Sequence, residues 1–144
     1  MIIGVPKEIK NNESRVSIIP FGVEELISSN HTVLIEKDAG LGSGFTNEMY
    51  KNCGAQIIDS ASEVYQKSDM IVKVKEPQKE EYKLIKNGQM IFTFFHFAAE
   101  KELLLAMLDS GATSIAYETV QIDNKLPLLI PMSEVAGRLA VING

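Results

Sequence analysis

The 144-residue sequence is 45% hydrophobic, 23% charged and 7% aromatic, and its 14 basic and 19 acidic residues leave a net charge of −5. A chain of this length can bury roughly 68–70% of its unfolded surface, so its core needs neither disulfides nor a structural metal. The acidic balance without any basic stripe excludes a dedicated nucleic-acid binder, the lone Cys53 excludes an internal disulfide framework and suits a reducing cytoplasm, and no apolar run approaches the ~20 residues of a membrane span.

Short β-branched runs alternate with helical patterns along the first two thirds of the chain, the signature of βαβ units and a mainly parallel sheet with helices on both faces. Five strands are expected, over 2–5, 32–36, 70–74, 90–95 and 113–116, with a shorter one over 56–58 and a hairpin around Asp123-Asn124. Between them, Pro20 opens a helix carrying Val23, Leu26 and Ile27 on one face. Thr46 caps a short helix that Gly54 stops, and Asp59 or Ser60 caps the next, where Ala61, Val64 and Tyr65 recur at helical spacing. A short helix is expected over 79–84. A longer one follows over 100–110, with Leu103, Leu104, Met107 and Leu108 facing a core and Gly111 just past its end. Pro127 and Pro131 then bracket an apolar segment, and Ser133 caps a helix through Val135, Ala136, Leu139 and Ala140 that is barely three turns long at Gly144, the pattern of a cut.

Polar residues of unusual type stand just past the expected strands, where open α/β sheets place their ligand crevice: Lys75, His96 and the pair Tyr117-Glu118. His96 is one of two histidines and lies in Phe94-Phe95-His96-Phe97. Imidazole titrates near neutrality, so in a dry apolar setting it suits proton transfer, although a core histidine bonded to backbone fits the same pattern. Arg15 and Arg138 are the only arginines. Arg15 sits in the polar loop Asn11-Asn12-Glu13-Ser14-Arg15, where its planar fork can grip a carboxylate at two points or pair with Glu13 in solvent. Strand alternation puts Lys73 and Lys75 on one face. One of them can snorkel from a half-buried strand, while the other, over the strand end, can polarise a carbonyl or stabilise negative charge. The run Gly40-Leu41-Gly42-Ser43-Gly44 is G-x-G-x-G, not G-x-G-x-x-G, and reads as a flexible turn.

Six blocks, in this order along the whole chain, carry a family resemblance: Gly4-Val5-Pro6-Lys7-Glu8, Asn11-Asn12-Glu13-Ser14-Arg15-Val16, Val72-Lys73-Val74-Lys75-Glu76-Pro77, Phe92-Thr93-Phe94-Phe95-His96, Thr113-Ser114-Ile115-Ala116-Tyr117-Glu118-Thr119-Val120 and Pro131-Met132-Ser133-Glu134-Val135-Ala136-Gly137-Arg138. The chain resembles the N-terminal part of the bacterial alanine dehydrogenases, in the family they share with the nicotinamide nucleotide transhydrogenase α subunit. The resemblance implies a Rossmann-like α/β fold, with Arg15 and Lys75 binding the substrate's carboxylate and carbonyl, His96 as acid/base, and Ser133 touching NAD. It also implies the interconversion of pyruvate and L-alanine and a homo-oligomer, commonly a hexamer, while the charge balance, the lone cysteine and the lack of a long apolar run point to a cytoplasmic protein with no nucleic-acid or membrane partner. Members continue for more than two hundred residues through a G-x-G-x-x-G nucleotide domain. By that implication residues 1–129 are the substrate-binding domain, 130–144 begin a connecting helix, and the chain does not catalyse alone. Two alternatives remain at this point: the transhydrogenase α subunit, and a stand-alone small-ligand or interaction module.

Overall fold

The computed structural model describes residues 1–143, the last by its backbone alone; Gly144, where the sequence reading places a cut, lies outside the described residues. Six strands, β1 (Ile2–Val5), β2 (Thr32–Glu36), β3 (Gln56–Ile58), β4 (Met70–Lys75), β5 (Met90–Phe94) and β6 (Thr113–Ala116), form one sheet in the order β3-β2-β1-β4-β5-β6. All five neighbouring pairs are parallel. Every strand therefore ends at the same edge, and the order reverses between β1 and β4, where doubly wound sheets open a ligand crevice.

Helices cover both faces, as the alternating pattern implies. The helices α1 (Pro20–Ser28) and α2 (Asn47–Asn52) cover one face, where Val23 and Tyr50 pack on Val5, Val33 and Ile35. The opposite face is covered by α3 (Ala61–Lys67), α4 (Lys79–Tyr82) and α5 (Lys101–Ser110), where Val64, Tyr65, Leu103 and Met107 meet Leu34, Ile71, Ile91 and Phe95. The close seat of α3 on β1 depends on Gly4, because a Cβ there would overlap the Ser68 hydroxyl and lie 2.7 Å from Val64 Cγ1.

Local punctuation follows the sequence closely. Thr46 Oγ1 accepts from the Met49 N–H at 3.3 Å, Ser60 Oγ accepts from Glu63 at 3.3 Å, and Gly111 ends α5 at φ 66°. Asp123 (φ 48°) and Asn124 (φ 60°) make a two-residue turn that brings Ile122 into an antiparallel bridge with Lys125. No helix among the described residues is long and apolar enough to cross a membrane.

Four expectations are corrected. The final helix, α6, spans Ile130–Asn143, so Ser133 is no cap: its N–H already donates to Leu129 O at 3.0 Å inside the first turns, where Pro131 is tolerated. On α5, Leu103 and Met107 are buried but Leu104 and Leu108 are exposed, because the helix presents only one narrow stripe to the sheet. The short helix α4 stops at Tyr82, two residues early, as the Leu84 N–H turns to Glu81 O in a tighter i to i−3 bond. Finally, Lys73 does not snorkel.

Lys73 is fully buried, its Nζ 3.2 Å from Glu8 Oε2 and 3.0 Å from Glu81 Oε1, with neither contact aligned as a hydrogen bond. The two carboxylates have better-directed partners. Glu8 Oε1 accepts from the Val74 N–H at 2.6 Å, while Glu81 accepts from the Tyr65 hydroxyl at 3.0 Å and the Gln78 N–H at 2.8 Å. Burial pushes the Glu8 carboxyl up, against the pull of Lys73 and the Val74 N–H. Breaking a buried cluster of this kind by removing one partner costs about 3–5 kcal/mol. Lys73→Met is accordingly expected to lower urea stability by about that much. The loss should be larger at pH 8 than at pH 5, because the stranded carboxylates can neutralise in the folded state only by taking up protons. Urea melts of the variant at the two pH values check this; equal losses at both would break the electrostatic account.

Candidate active site

Three strand exits build the site. Past β1 the chain runs through Pro6-Lys7-Glu8 into a polar loop that turns at Asn12 (φ 62°), with the Glu13 N–H on Lys10 O at 3.1 Å. The loop leans on the glycine run. Ser43 Oγ donates to Ser14 O at 3.3 Å, and Gly42 lies so close to Ser14 that a Cβ would sit 2.9 Å from the Ser14 Cβ. The run is a short 3-10 turn over Leu41–Ser43, ended by Gly44 at φ 82°. Two of its glycines are filled by neighbours, Gly40 by the Tyr50 ring and Gly42 by Ser14, so that side of the run is a packing surface instead of an anion cradle.

Arg15 is exposed and its guanidinium is already engaged: Nε and Nη2 donate to the two Glu13 oxygens at 2.8 and 2.6 Å, and its backbone N–H donates to Glu13 Oε1 at 2.9 Å. The solvated-pair alternative is thus half right, because the Glu13 side chain is only 7% exposed. Hydrogen bonding to Arg15, with a further contribution from the charge on Lys75, holds the Glu13 carboxyl down to about 2. Two of the five guanidinium N–H groups are spent on Glu13, leaving the Nη1 side open to a second carboxylate. A cleft of about 250 Å³ beside it is bounded by Lys7, Glu8, Glu13, Arg15, Asp38 and Gly42.

Lys75 ends β4, half-buried, with its backbone N–H 3.4 Å from Glu8 Oε1. The β4–β5 register advances three residues on β4 (Val72 to Lys75) against two on β5 (Phe92 to Phe94). This bulge breaks the simple alternation that placed Lys73 and Lys75 together, re-aiming Lys75 while Lys73 stays in the core. The Thr93 hydroxyl beside it is buried without a partner.

His96 follows β5 in a left-handed conformation, φ 53°, that non-glycine residues enter rarely and at a cost of about 1–3 kcal/mol. The expectation of a dry apolar setting is corrected, as is the core-histidine alternative. The imidazole is exposed and stacks on Phe94, centroids 6.1 Å apart at 30°, because Phe95 takes the core position. The Phe94 ring in turn meets Tyr117 edge-on at 4.9 Å, and burial raises the Tyr117 phenol.

Arg15, Lys75 and His96 thus share the carboxyl edge of the sheet, on the exits of β1, β4 and β5. The charge on Lys75 reaches the Arg15–Glu13 pair, while His96 stands one strand further along with no hydrogen bond to either among the described residues. Ser133 lies apart, exposed on α6, and its backbone bond is internal to that segment. Among the described residues no three His, Cys, Asp or Glu side chains converge to hold a metal. A cavity of about 440 Å³ on the α1 side of the sheet, lined by Ile3, Met70, Val72, Phe92, Phe94 and Tyr117, is mainly apolar and is lined by none of Arg15, Lys75 and His96. Sequence reasoning missed Glu8 and assigned no role to Glu118; their position in strand-exit segments was the only signal.

A guanidinium, an ammonium and an imidazole along one edge suit a small carboxylate that also bears a carbonyl. The guanidinium grips the acid, the ammonium stabilises charge on the carbonyl oxygen, and the imidazole moves a proton.

Residues 4–136 match the family model described as alanine dehydrogenase/PNT, N-terminal domain. Alanine dehydrogenase of Bacillus subtilis is 58% identical over 140 residues, which is 97% of this chain and 37% of that protein. A solved L-alanine dehydrogenase superposes with a TM-score of 0.95 at 50% identity, covering 100% of this chain and 40% of the other. The transhydrogenase from Sinorhizobium meliloti gives 0.79 at 29% identity over 85% of this chain and 37% of its own. The chain spans 37–38% of the length of the relatives it matches.

The Arg15–Glu13 pair gives a direct test. Titration of the Glu13 carboxyl by carbon-13 NMR is expected near 2, moving up toward the ordinary 4.5 in Arg15→Met. Since the folded value is depressed, the pair's stabilisation is present above about pH 4.5 and is lost as pH falls toward 2. A Glu13 titration unmoved by Arg15→Met would refute the pairing as the cause.

Proposed function

The chain belongs to the alanine dehydrogenase/PNT N-terminal domain family, and from that footing we propose that it is the substrate-side domain of an NAD-dependent L-alanine dehydrogenase. The full enzyme's reaction is then L-alanine, NAD and water to pyruvate, ammonium, NADH and a proton. The observation that carries the reading is the placement of Arg15, Lys75 and His96 on one sheet edge, where Arg15 lines a cleft of about 250 Å³.

In the proposed mechanism the free Nη1 side of Arg15 holds the pyruvate carboxylate while Glu13 grips the opposite side and fixes the plane of the guanidinium. Lys75 stabilises negative charge on the carbonyl oxygen, an effect that grows as the carbonyl carbon is attacked. His96 donates or accepts the proton at that oxygen and on the derived imine. Hydride transfer is the chemistry that NAD would supply, held by parts of the full enzyme outside this chain. The described residues do not fit the NAD pyrophosphate, because Tyr50 and Ser14 occupy the approaches to Gly40 and Gly42 of the glycine loop and Ser133 offers one exposed hydroxyl on α6. Ser133 is retained only as a proposed contact. The chain alone is proposed not to turn over, with residues 1–129 as substrate domain and 130–144 as the start of a connecting helix. The full enzyme is proposed to be a cytoplasmic homo-oligomer. A transhydrogenase role is disfavoured by the weaker likeness and by the joint presence of Arg15, Lys75 and His96.

In the full-length enzyme His96→Ala is expected to lower kcat by roughly 10²–10⁴-fold, the usual contribution of general acid–base catalysis; unchanged turnover would remove His96 from the mechanism. Arg15→Lys should raise the KM for pyruvate and leave NADH affinity alone, since a lysine cannot reproduce the planar grip. Calorimetry of the 144-residue chain is expected to give weak or absent pyruvate binding and no NADH binding. Tight NADH binding would contradict the domain assignment and favour a stand-alone module.

A further inference from the structure

We propose that Glu118 is a positioning residue that sets the direction of the His96 imidazole by clamping the backbone beneath it. The inference rests on the proposed role of His96 and adds a residue to it. Its starting point is a topological defect. β5 ends at Phe94 and its neighbour β6 ends at Ala116, so the N–H groups of Phe95 and His96 emerge past the ladder with no strand to receive them. Glu118, in the single 3-10 turn Tyr117–Thr119 that follows β6, supplies the acceptor. Its Oε1 accepts from the Phe95 N–H at 3.1 Å and from the His96 N–H at 2.8 Å, and its Oε2 lies 3.4 Å from the Phe95 nitrogen. One carboxylate thus holds two successive amides.

That clamp sits where the backbone is most in need of one. Phe95 is fully buried and stacks on Phe97, centroids 4.4 Å apart at 13°, so the chain is anchored in the core immediately before the reversal. His96 must then turn outward within one residue, and it does so at φ 53°. A residue with a Cβ holds that conformation only when its surroundings over-determine it. The core anchor on one side and the carboxylate on the other supply the two constraints. Released from Glu118, His96 would return to negative φ and swing its ring away from the strand-end edge shared with Lys75. Hydrogen bonds from amides to a charged acceptor are also stronger and shorter than neutral ones, which is why a carboxylate suits this task better than an amide oxygen.

The Glu118 carboxylate hydrogen-bonds to backbone N–H groups, those of Phe95 and His96, so its effect on catalysis should pass through His96. A displacement of about 1 Å in an acid/base costs on the order of 10²-fold in rate. In the full-length enzyme, Glu118→Ala is therefore expected to lower kcat about 10²-fold while leaving the pyruvate KM within about threefold, because Arg15 and Lys75 stay in place. Glu118→Gln keeps the shape and one acceptor oxygen and should fall about 10-fold, between the two. The second readout needs no turnover: proton–nitrogen NMR of the 144-residue chain. The Phe95 and His96 amides should resonate downfield, and His96 should show the strong intraresidue amide-to-Hα NOE of positive φ. Both signatures should weaken in Glu118→Gln and vanish in Glu118→Ala. Wild-type kcat per folded molecule in either variant, or a fall in kcat matched by a proportional rise in KM, would overturn the proposal, as would an unchanged His96 NOE in Glu118→Ala. A wild-type enzyme inert toward L-alanine would instead defeat the proposed function, and the NMR comparison would still decide the clamp.

Discussion

The architecture turns on one buried cation. Lys73 sits in the core on β4 between two carboxylates from segments far apart in the sequence, Glu8 from the exit of β1 and Glu81 from α4. A lysine removed from water is tolerable only with counter-charges beside it, and those counter-charges need donors of their own, which Tyr65, Gln78 and the backbone of Val74 provide. Replacing such a cluster with apolar side chains of the same size often costs nothing in stability, so its value lies in fixing one arrangement. The arrangement fixed is the junction of β1 and β4, where the strand order reverses and the crevice opens.

The same logic recurs along the carboxyl edge. Glu8 leaves the lysine cluster with its other oxygen free to hold the N–H groups of Val74 and Lys75, at the bulge that re-aims Lys75. Glu13 holds Arg15 edge-on, and Glu118 receives the amides beneath His96. Three acids therefore hold the guanidinium of Arg15 and the backbone that carries Lys75 and His96. This gives part of the chain's acidic excess a local purpose: each acid binds either a side-chain fork or a strand end whose ladder has run out. A site built this way is set by short bonds to rigid strand exits, which tolerates the solvent exposure of Arg15 and His96.

The two faces of the sheet divide the work. The face under α3, α4 and α5 carries the ion cluster and the Phe95 anchor, so it determines where the strand ends point. The face under α1 and α2 is apolar, and over β4 and β5 it is left with an open cavity lined by Met70, Val72, Phe92 and Phe94. Tyr117 connects the two halves of this description, since its ring meets Phe92 and Phe94 on the cavity side while its neighbour Glu118 holds the backbone at the strand ends.

Local pattern in the sequence sufficed for the elements. Alternation and caps located all six strands, the Thr46 and Ser60 caps, the Gly111 stop and the Asp123-Asn124 turn, because each depends on residues within a few positions of one another. Position past a strand end also singled out Lys75, His96 and the pair Tyr117-Glu118, and scarcity singled out Arg15. Only the tertiary structure decided what surrounds them. Lys73 reads as a snorkelling neighbour of Lys75 until the bulge and two distant acids bury it, and His96 reads as dry or as core until Phe95 takes the inward position. The α6 start at Ile130 likewise overrode Ser133, whose cap chemistry was locally plausible. The deciding bonds span the chain, 66 residues from Glu8 to Val74 and 22 from Glu118 to His96. A carboxylate's partner at that separation leaves no periodic trace in the sequence, and only the parallel sheet, by bringing every strand end to one edge, makes them neighbours.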